Sequence, residues 1–332
     1  MLRMVPLPVP GRIFALPHSS GRATDPIMIL PPIWLPSALC AGLFQAWRTA
    51  LQQGLRGKLS VSGAGLIRYA YGAPFALLMA AAYLGIRGLS LPRLDGMYLL
   101  LSALAGLAQI LGTALLILSF GHRGFVVGTA FSKTEALMAA IAAAAFFHES
   151  LPALAWLGIL VGVAGIALLA LFGEKMAAGD LLRAAVQPAA LCGLGCAALF
   201  ALTGLLVKQA TGRLAIADQP AAALITLVVV MVMQTAMHGS WVTVKEPATW
   251  RAMVDNWRNS GLVGLLAACG SACWFTGFAT APVALVRIVG QVEVIFTIGF
   301  AHLYLKERLR PHEVAGLGLV ALGVILALIG AR

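Results

Sequence analysis

Two glutamates fourteen residues apart, Glu135 and Glu149, recur at the same spacing as Glu293 and Glu307, in a chain with seven glutamates in all. The offset is 158 residues, and it carries Gly106–Leu169 onto Gly264–Ala327 without a gap. Gly106, Gly112, Gly158 and Gly165 land on Gly264, Gly270, Gly316 and Gly323, and Phe120 lands on Phe278. Leucine and alanine matches carry little weight in so apolar a composition, but charges and glycines do. An internal repeat of this length dictates the architecture before any local reading begins. Glu135 and Glu293 also sit inside long apolar stretches, where an ionisable side chain is expensive and points to function.

The composition identifies the solvent. Hydrophobic residues make up 61% of the chain, charged residues 11%, and mean hydropathy is +0.93. A soluble domain carries roughly 25% charged residues, so much of this surface is expected to face lipid. The net charge of +11 is spread singly between apolar runs and builds no basic face, which argues against nucleic acid and for anionic lipid headgroups. Cys40, Cys192, Cys196, Cys269 and Cys273 all fall in apolar segments. No histidine or further thiol stands beside the two four-apart pairs, so they read as core filler, not as a metal or disulfide site. No phosphate-cradling, HExxH or GxSxG motif occurs, so no cofactor and no ATP drive are expected.

A helix needs about 20 apolar residues to cross a bilayer core of roughly 30 Å. Ten segments qualify, near residues 33–53, 63–86, 95–118, 125–147, 153–172, 187–207, 219–238, 260–279, 283–305 and 312–330. The expected fold is therefore an all-α integral membrane protein of ten transmembrane helices. Residues 31–172 form the first repeat, 173–186 a linker and 187–332 the second. Residues 1–30 read as a disordered extension, or as an over-extended start with Met28 as the initiator. Gly239–Ser260 is long enough for a short interfacial helix, with Trp241, Trp250 and Trp257 in an aromatic belt. The first and sixth helices share Pro36-Ser-Ala-Leu-Cys40 and Pro188-Ala-Ala-Leu-Cys192. Five helices per copy turn the second copy upside down, the inverted repeat of secondary transporters whose site lies between the halves. With a cytoplasmic N-terminus, eight Lys and Arg residues fall inside and eleven outside, so the positive-inside rule leans the other way.

Each half ends its fourth helix with an acid before a glycine-rich fifth: Phe146-Phe-His-Glu149-Ser-Leu before Gly158 and Gly165, and Leu305-Lys-Glu307-Arg-Leu before Gly316 and Gly323. In these features residues 31–330 resemble the EamA-type drug/metabolite transporters. The resemblance implies two inverted five-helix EamA repeats in an inner (plasma) membrane, with both termini cytoplasmic. It implies a permease that usually moves small metabolites or amino acids outward. Many members place a proline or small polar residues in the middle of the fourth and ninth helices, where this chain has Ser132-Lys-Thr-Glu135 and Gly290-Gln-Val-Glu293. Substrate preferences of other members therefore do not transfer.

Glu135 and Glu293, about ten residues into their helices, are the leading candidates for proton coupling or for binding a substrate ammonium. The structural alternative is an ion pair between helices. Lys133 and Arg287 are the candidate partners. Lys133 and Glu135 are two residues apart and face nearly opposite ways, as do Gln291 and Glu293, so pairing must cross between helices. The charges of Lys133, Glu135, Arg287 and Glu293 sum to zero; Arg287 has a second reading, snorkelling from a helix start. Gln109, Thr113, Ser271 and Trp274 could line a polar cavity beside them, or satisfy one another between helices. Arg48 and Arg68 read as snorkelling anchors, and Tyr69 and Tyr71 as interfacial aromatics. Glu149 and Glu307 read as helix-end loop residues. Gly158 and Gly162 have the spacing for close helix approach, within one chain or in a homodimer through the fifth and tenth helices.

The expected function is secondary transport of a small metabolite, an amino acid or an amphipathic cation, coupled to protons and driven outward by alternating access. The rival is a membrane-embedded enzyme acting on a lipid or isoprenoid substrate. Such an enzyme gathers several Asp, Glu or His residues near one interface, and no such gathering occurs here.

Overall fold

The computed structural model describes residues 33–53, 55, 59–121, 131–147, 151–173, 188–296, 299 and 311–331. The N-terminal extension with Met28, the linker from 174 onward, Glu149 and Glu307 lie outside the described residues. The elements in chain order are α1 (Trp34–Gln53), α2 (Val61–Ala70), α3 (Gly72–Arg87), α4 (Gly96–Gly121), α5 (Glu135–Phe147) and α6 (Ala153–Gly173) in the first half. The second half supplies α7 (Pro188–Arg213), α8 (Gln219–Lys245), α9 (Ala248–Asp255), α10 (Trp257–Thr280), α11 (Val283–Gly290) and α12 (Pro311–Gly330). Every one is helical. Five stretches are long and apolar enough to cross a membrane: Val61–Arg87, Gly96–Leu116, Pro188–Arg213, Gln219–Lys245 and Trp257–Thr280. Three shorter apolar helices accompany them, at Glu135–Phe146, Ala153–Leu169 and Val314–Gly330. Large apolar side chains on the outside, such as Leu78, Ile86 and Phe146, suit a lipid surround.

Local chemistry sets the ends. The Ser60 hydroxyl accepts from the Gly63 amide to open α2, and Asp218 accepts from Ala221 to open α8. Gly88, at φ 63°, closes α3 in the left-handed conformation that glycine adopts without a Cβ penalty. Arg87 with Asp218 at 3.2 Å and Arg213 with Asp95 at 3.0 Å mark one end of the bundle. Ser60, Ser62 and Thr249 gather around Glu246 at the other. There α9 forms the short helix expected between residues 239 and 260, with Trp241 and Trp257 exposed.

The principal packing joins helices of different halves: α6 against α12, α4 against α7, and α1 against α10. Small residues let α6 and α12 touch backbone to backbone. A Cβ on Gly158 would lie 2.5 Å from the Gly323 carbonyl, and one on Gly165 would lie 2.9 Å from the Gly316 carbonyl. Thus Gly158 faces Gly323 and Gly165 faces Gly316, and the glycine faces are filled within the chain.

Two corrections concern α2. Arg68 and Tyr69 are not surface anchors; both are buried, Tyr69 to 2% exposure. Residues 61–87 pack against α4, α8 and α10, so this face of α2 meets protein where a lone amphipathic helix would meet headgroups.

Candidate functional site

Both acid-bearing helices are broken immediately before the acid. The helical path turns at Lys133–Thr134 and restarts at Glu135, and it turns again at Gln291–Val292 and restarts at Glu293. The two breaks are repeat equivalents. Glu135 and Glu293 therefore begin helical turns instead of lying ten residues into continuous helices. A carboxylate at a helix start faces unpaired amide N–H groups and the positive end of the dipole.

The acids pair crosswise. Lys133 Nζ stands 2.9 Å from Glu293 Oε2, and the Arg287 guanidinium stands 3.4 Å from Glu135. Each base thus belongs to one half and each acid to the other, and Arg287 does not snorkel. Gln291, the repeat equivalent of Lys133, donates from Nε2 to the Lys133 carbonyl at 3.0 Å, satisfying a backbone group that the break leaves without a helical partner. Arg287 also donates to the Phe200 carbonyl at 3.2 Å and lies over the rings of Trp274 and Phe278, 4.7 Å and 5.0 Å from their centroids.

One residue that sequence reasoning missed joins the two pairs. Gln45 of α1 donates to Glu293 Oε2 at 2.7 Å and accepts from Trp274 Nε1 at 3.2 Å. A continuous path follows: Glu135, Arg287, the Trp274 ring, Gln45, Glu293, Lys133. Its tightness needs glycines. A Cβ on Gly290 would overlap the Trp274 indole, and a Cβ on Gly42 would come within 3.0 Å of the Gly290 carbonyl and 3.2 Å of the Glu293 amide. Nothing in the sequence singled out Gln45, because its equivalent at the 152-residue offset of the first and sixth helices is Ala197.

The remaining candidates form a second cluster. Thr113 accepts from Arg68 at 3.1 Å and donates to the Gln109 carbonyl, while the Gln109 side chain accepts from Gln234 of α8 at 2.7 Å. Ser271 is buried one turn before Trp274 in α10, and among the described residues no hydrogen bond ties it to the charged pairs. A cavity of about 350 Å³ opens beside Thr113, lined also by Tyr69, His238 and Trp241.

Residues 187–329 match the EamA-like transporter family of the drug/metabolite transporter superfamily. The match lies wholly within the second half and covers less than half of the chain. With the five described helices that are long and apolar enough to cross a membrane, it marks a multi-pass membrane protein. No curated protein matches the sequence. Among solved structures 28 chains match. One crystal structure, described only as a protein, has a TM-score of 0.65 at 14% identity over 90% of this chain and 96% of its own. At that identity the likeness concerns the fold, and it extends well beyond the EamA-like half.

Proposed function

We propose that the chain is a ten-span secondary transporter built from two inverted five-helix EamA repeats, which rock against each other around the paired acids. The observation that carries this reading is the exchange of partners: Lys133 with Glu293, and Arg287 with Glu135. Packing supports the inversion. The pairing of α4 with α7 becomes α10 with α1 when the halves are exchanged, and Gly158 with Gly323 becomes Gly316 with Gly165. Such reciprocity is what a twofold axis between the halves produces. Breaks that bring helix starts to the bundle centre fit the discontinuous helices of transporter sites.

The cycle follows from the charges. In low dielectric an acid held by one base keeps its charge only while that base stays close. Separating the halves removes Lys133 from Glu293 and Arg287 from Glu135, and leaves each acid without its base. Proton uptake in one state and release in the other couples the gradient to a small metabolite. The direction we assign is export across the inner membrane, with both termini cytoplasmic, as the family resemblance implies. The test is flux into proteoliposomes of purified protein under an imposed pH gradient, screened over amino acids, organic anions and cationic drugs. Saturable flux that responds to the gradient and is lost in Glu135→Gln and Glu293→Gln is expected. Unchanged flux and pH dependence in both variants would overturn the coupling.

A further inference from the structure

Among the described residues, the charged core holds two more cations than the acid pairs require. Besides Lys133 and Arg287, α1 contributes Arg48 and α2 contributes Arg68. Arg68 is buried; among the described residues its guanidinium donates to the neutral hydroxyl of Thr113 and lies 5.5 Å from the centroid of the Tyr69 ring. Arg48 lies within electrostatic range of Arg68, Tyr69 and Glu293. The Nε atoms of both arginines are buried with no hydrogen-bond partner among the described residues, and no carboxylate there forms a salt bridge with either. Among the described residues, four cations, of which Arg48 and Lys133 are partly buried, stand against two anions. Buried charges are normally paired, because an unmatched one forfeits its hydration. Arg48 is moreover no product of the repeat, since its equivalent at the 152-residue offset is Phe200.

We infer that this arginine pair is the oxyanion subsite of the transporter, and that its cargo is an amphipathic organic anion. Two guanidiniums offer the planar donors that carboxylate and phosphate groups take up. The cavity beside Thr113 would receive the apolar part, against Trp241 and Met237. The buried Tyr69 hydroxyl and His238 Nδ1, also without partners among the described residues, come from that same lining. An amphipathic cation, one of the substrates expected from sequence, would instead add charge to a site already in excess. This assignment rests on the transport reading.

The experiment titrates the purified full chain in detergent with benzoate, inorganic phosphate and tetraethylammonium, read by thermal unfolding and tryptophan fluorescence. Benzoate is expected to stabilise saturably, phosphate more weakly, and tetraethylammonium not at all. Arg48→Gln and Arg68→Gln should each weaken benzoate binding at least about ten-fold, the scale of one charge-assisted hydrogen bond, with Arg68→Lys in between. Stronger binding of phosphate than of benzoate would keep the oxyanion subsite and remove the apolar cavity from it. Binding of tetraethylammonium without benzoate, or full benzoate affinity in folded Gln variants, overturns the inference. Should a Gln variant fail to fold, the wild-type selectivity alone decides. Benzoate binding without flux of any solute would sink transport and leave the anion site. Cation flux without anion binding would do the reverse.

Discussion

Lys133 and Glu293, 160 residues apart, meet at 2.9 Å where two helices are each broken at equivalent positions of the repeat. The contact ties one half of the chain to the other through a charge, and Arg287 with Glu135 repeats it in mirror order. Everything expected of the site depends on those two contacts being present in one state and absent in another.

Removing one partner of such a pair strands the other. Glu293→Gln or Lys133→Met alone should each destabilise the protein by roughly 3–5 kcal/mol, less to the extent that water reaches the pair. The double variant Lys133→Met with Glu293→Gln should recover most of that loss in thermal unfolding while gradient-driven flux stays lost. Additive losses would show that the two residues act independently.

Gln45 holds both the Trp274 indole and the Glu293 carboxylate. Gln45→Ala should leave Glu293 with Lys133 but cut the link to Arg287, costing about 1–3 kcal/mol as a hydrogen bond to a charged group. The matching observation is altered Trp274 fluorescence together with flux reduced by one to two powers of ten. Gln45→Glu, which places a second carboxylate against Glu293, should be worse than Gln45→Ala.

The α6–α12 contact predicts opposite outcomes for two glycines of similar appearance in sequence. Gly158→Ala puts a methyl group against the Gly323 carbonyl and the Ala327 amide, each 2.5 Å away, and should destabilise by about 1–3 kcal/mol. Gly318→Ala meets nothing within 4 Å and should be neutral or stabilising by up to about 1 kcal/mol. Thermal unfolding in one detergent compares them directly.

At the polar end of the bundle, hydrogen bonds from Ser60 first, and then from Ser62 and Thr249, hold the Glu246 carboxyl below the usual carboxylate range despite the opposing effect of burial. A carboxyl depressed in the folded state adds stability above its unfolded value, about 4.3, and loses it as pH falls through the lower folded value. Unfolding temperature should therefore drop on acidification below about pH 4.3. Ser60→Ala should flatten that drop by raising the Glu246 value toward normal.

The apolar, all-helical character and the need for pairing across helices were legible because they depend on composition and spacing alone. Lys133 and Glu135 are two apart whatever the tertiary structure. The EamA-like character of residues 187–329 was legible as a family resemblance, in Leu305-Lys-Glu307-Arg-Leu followed by Gly316 and Gly323. The helix breaks were not. Ser132-Lys-Thr and Gly290-Gln-Val hold no proline, and the turn there comes from contacts such as Gln291 on the Lys133 carbonyl and Gly42 beneath Gly290. Arg68 was misjudged for a related reason: an arginine seven residues into a helix can reach either headgroups or protein, and only the packing of α2 against α4 and α8 decides. Gln45 and Arg48 lay on the one helix whose counterpart kept neither.

The most direct test separates exchange from coupling. In proteoliposomes loaded with the transported solute, Glu293→Gln should still exchange internal for external solute, because the halves can rock with the acid permanently neutral. It should fail to accumulate solute against a gradient under an imposed pH difference. Wild-type accumulation in Glu293→Gln, with an unchanged response to that pH difference, would contradict the account.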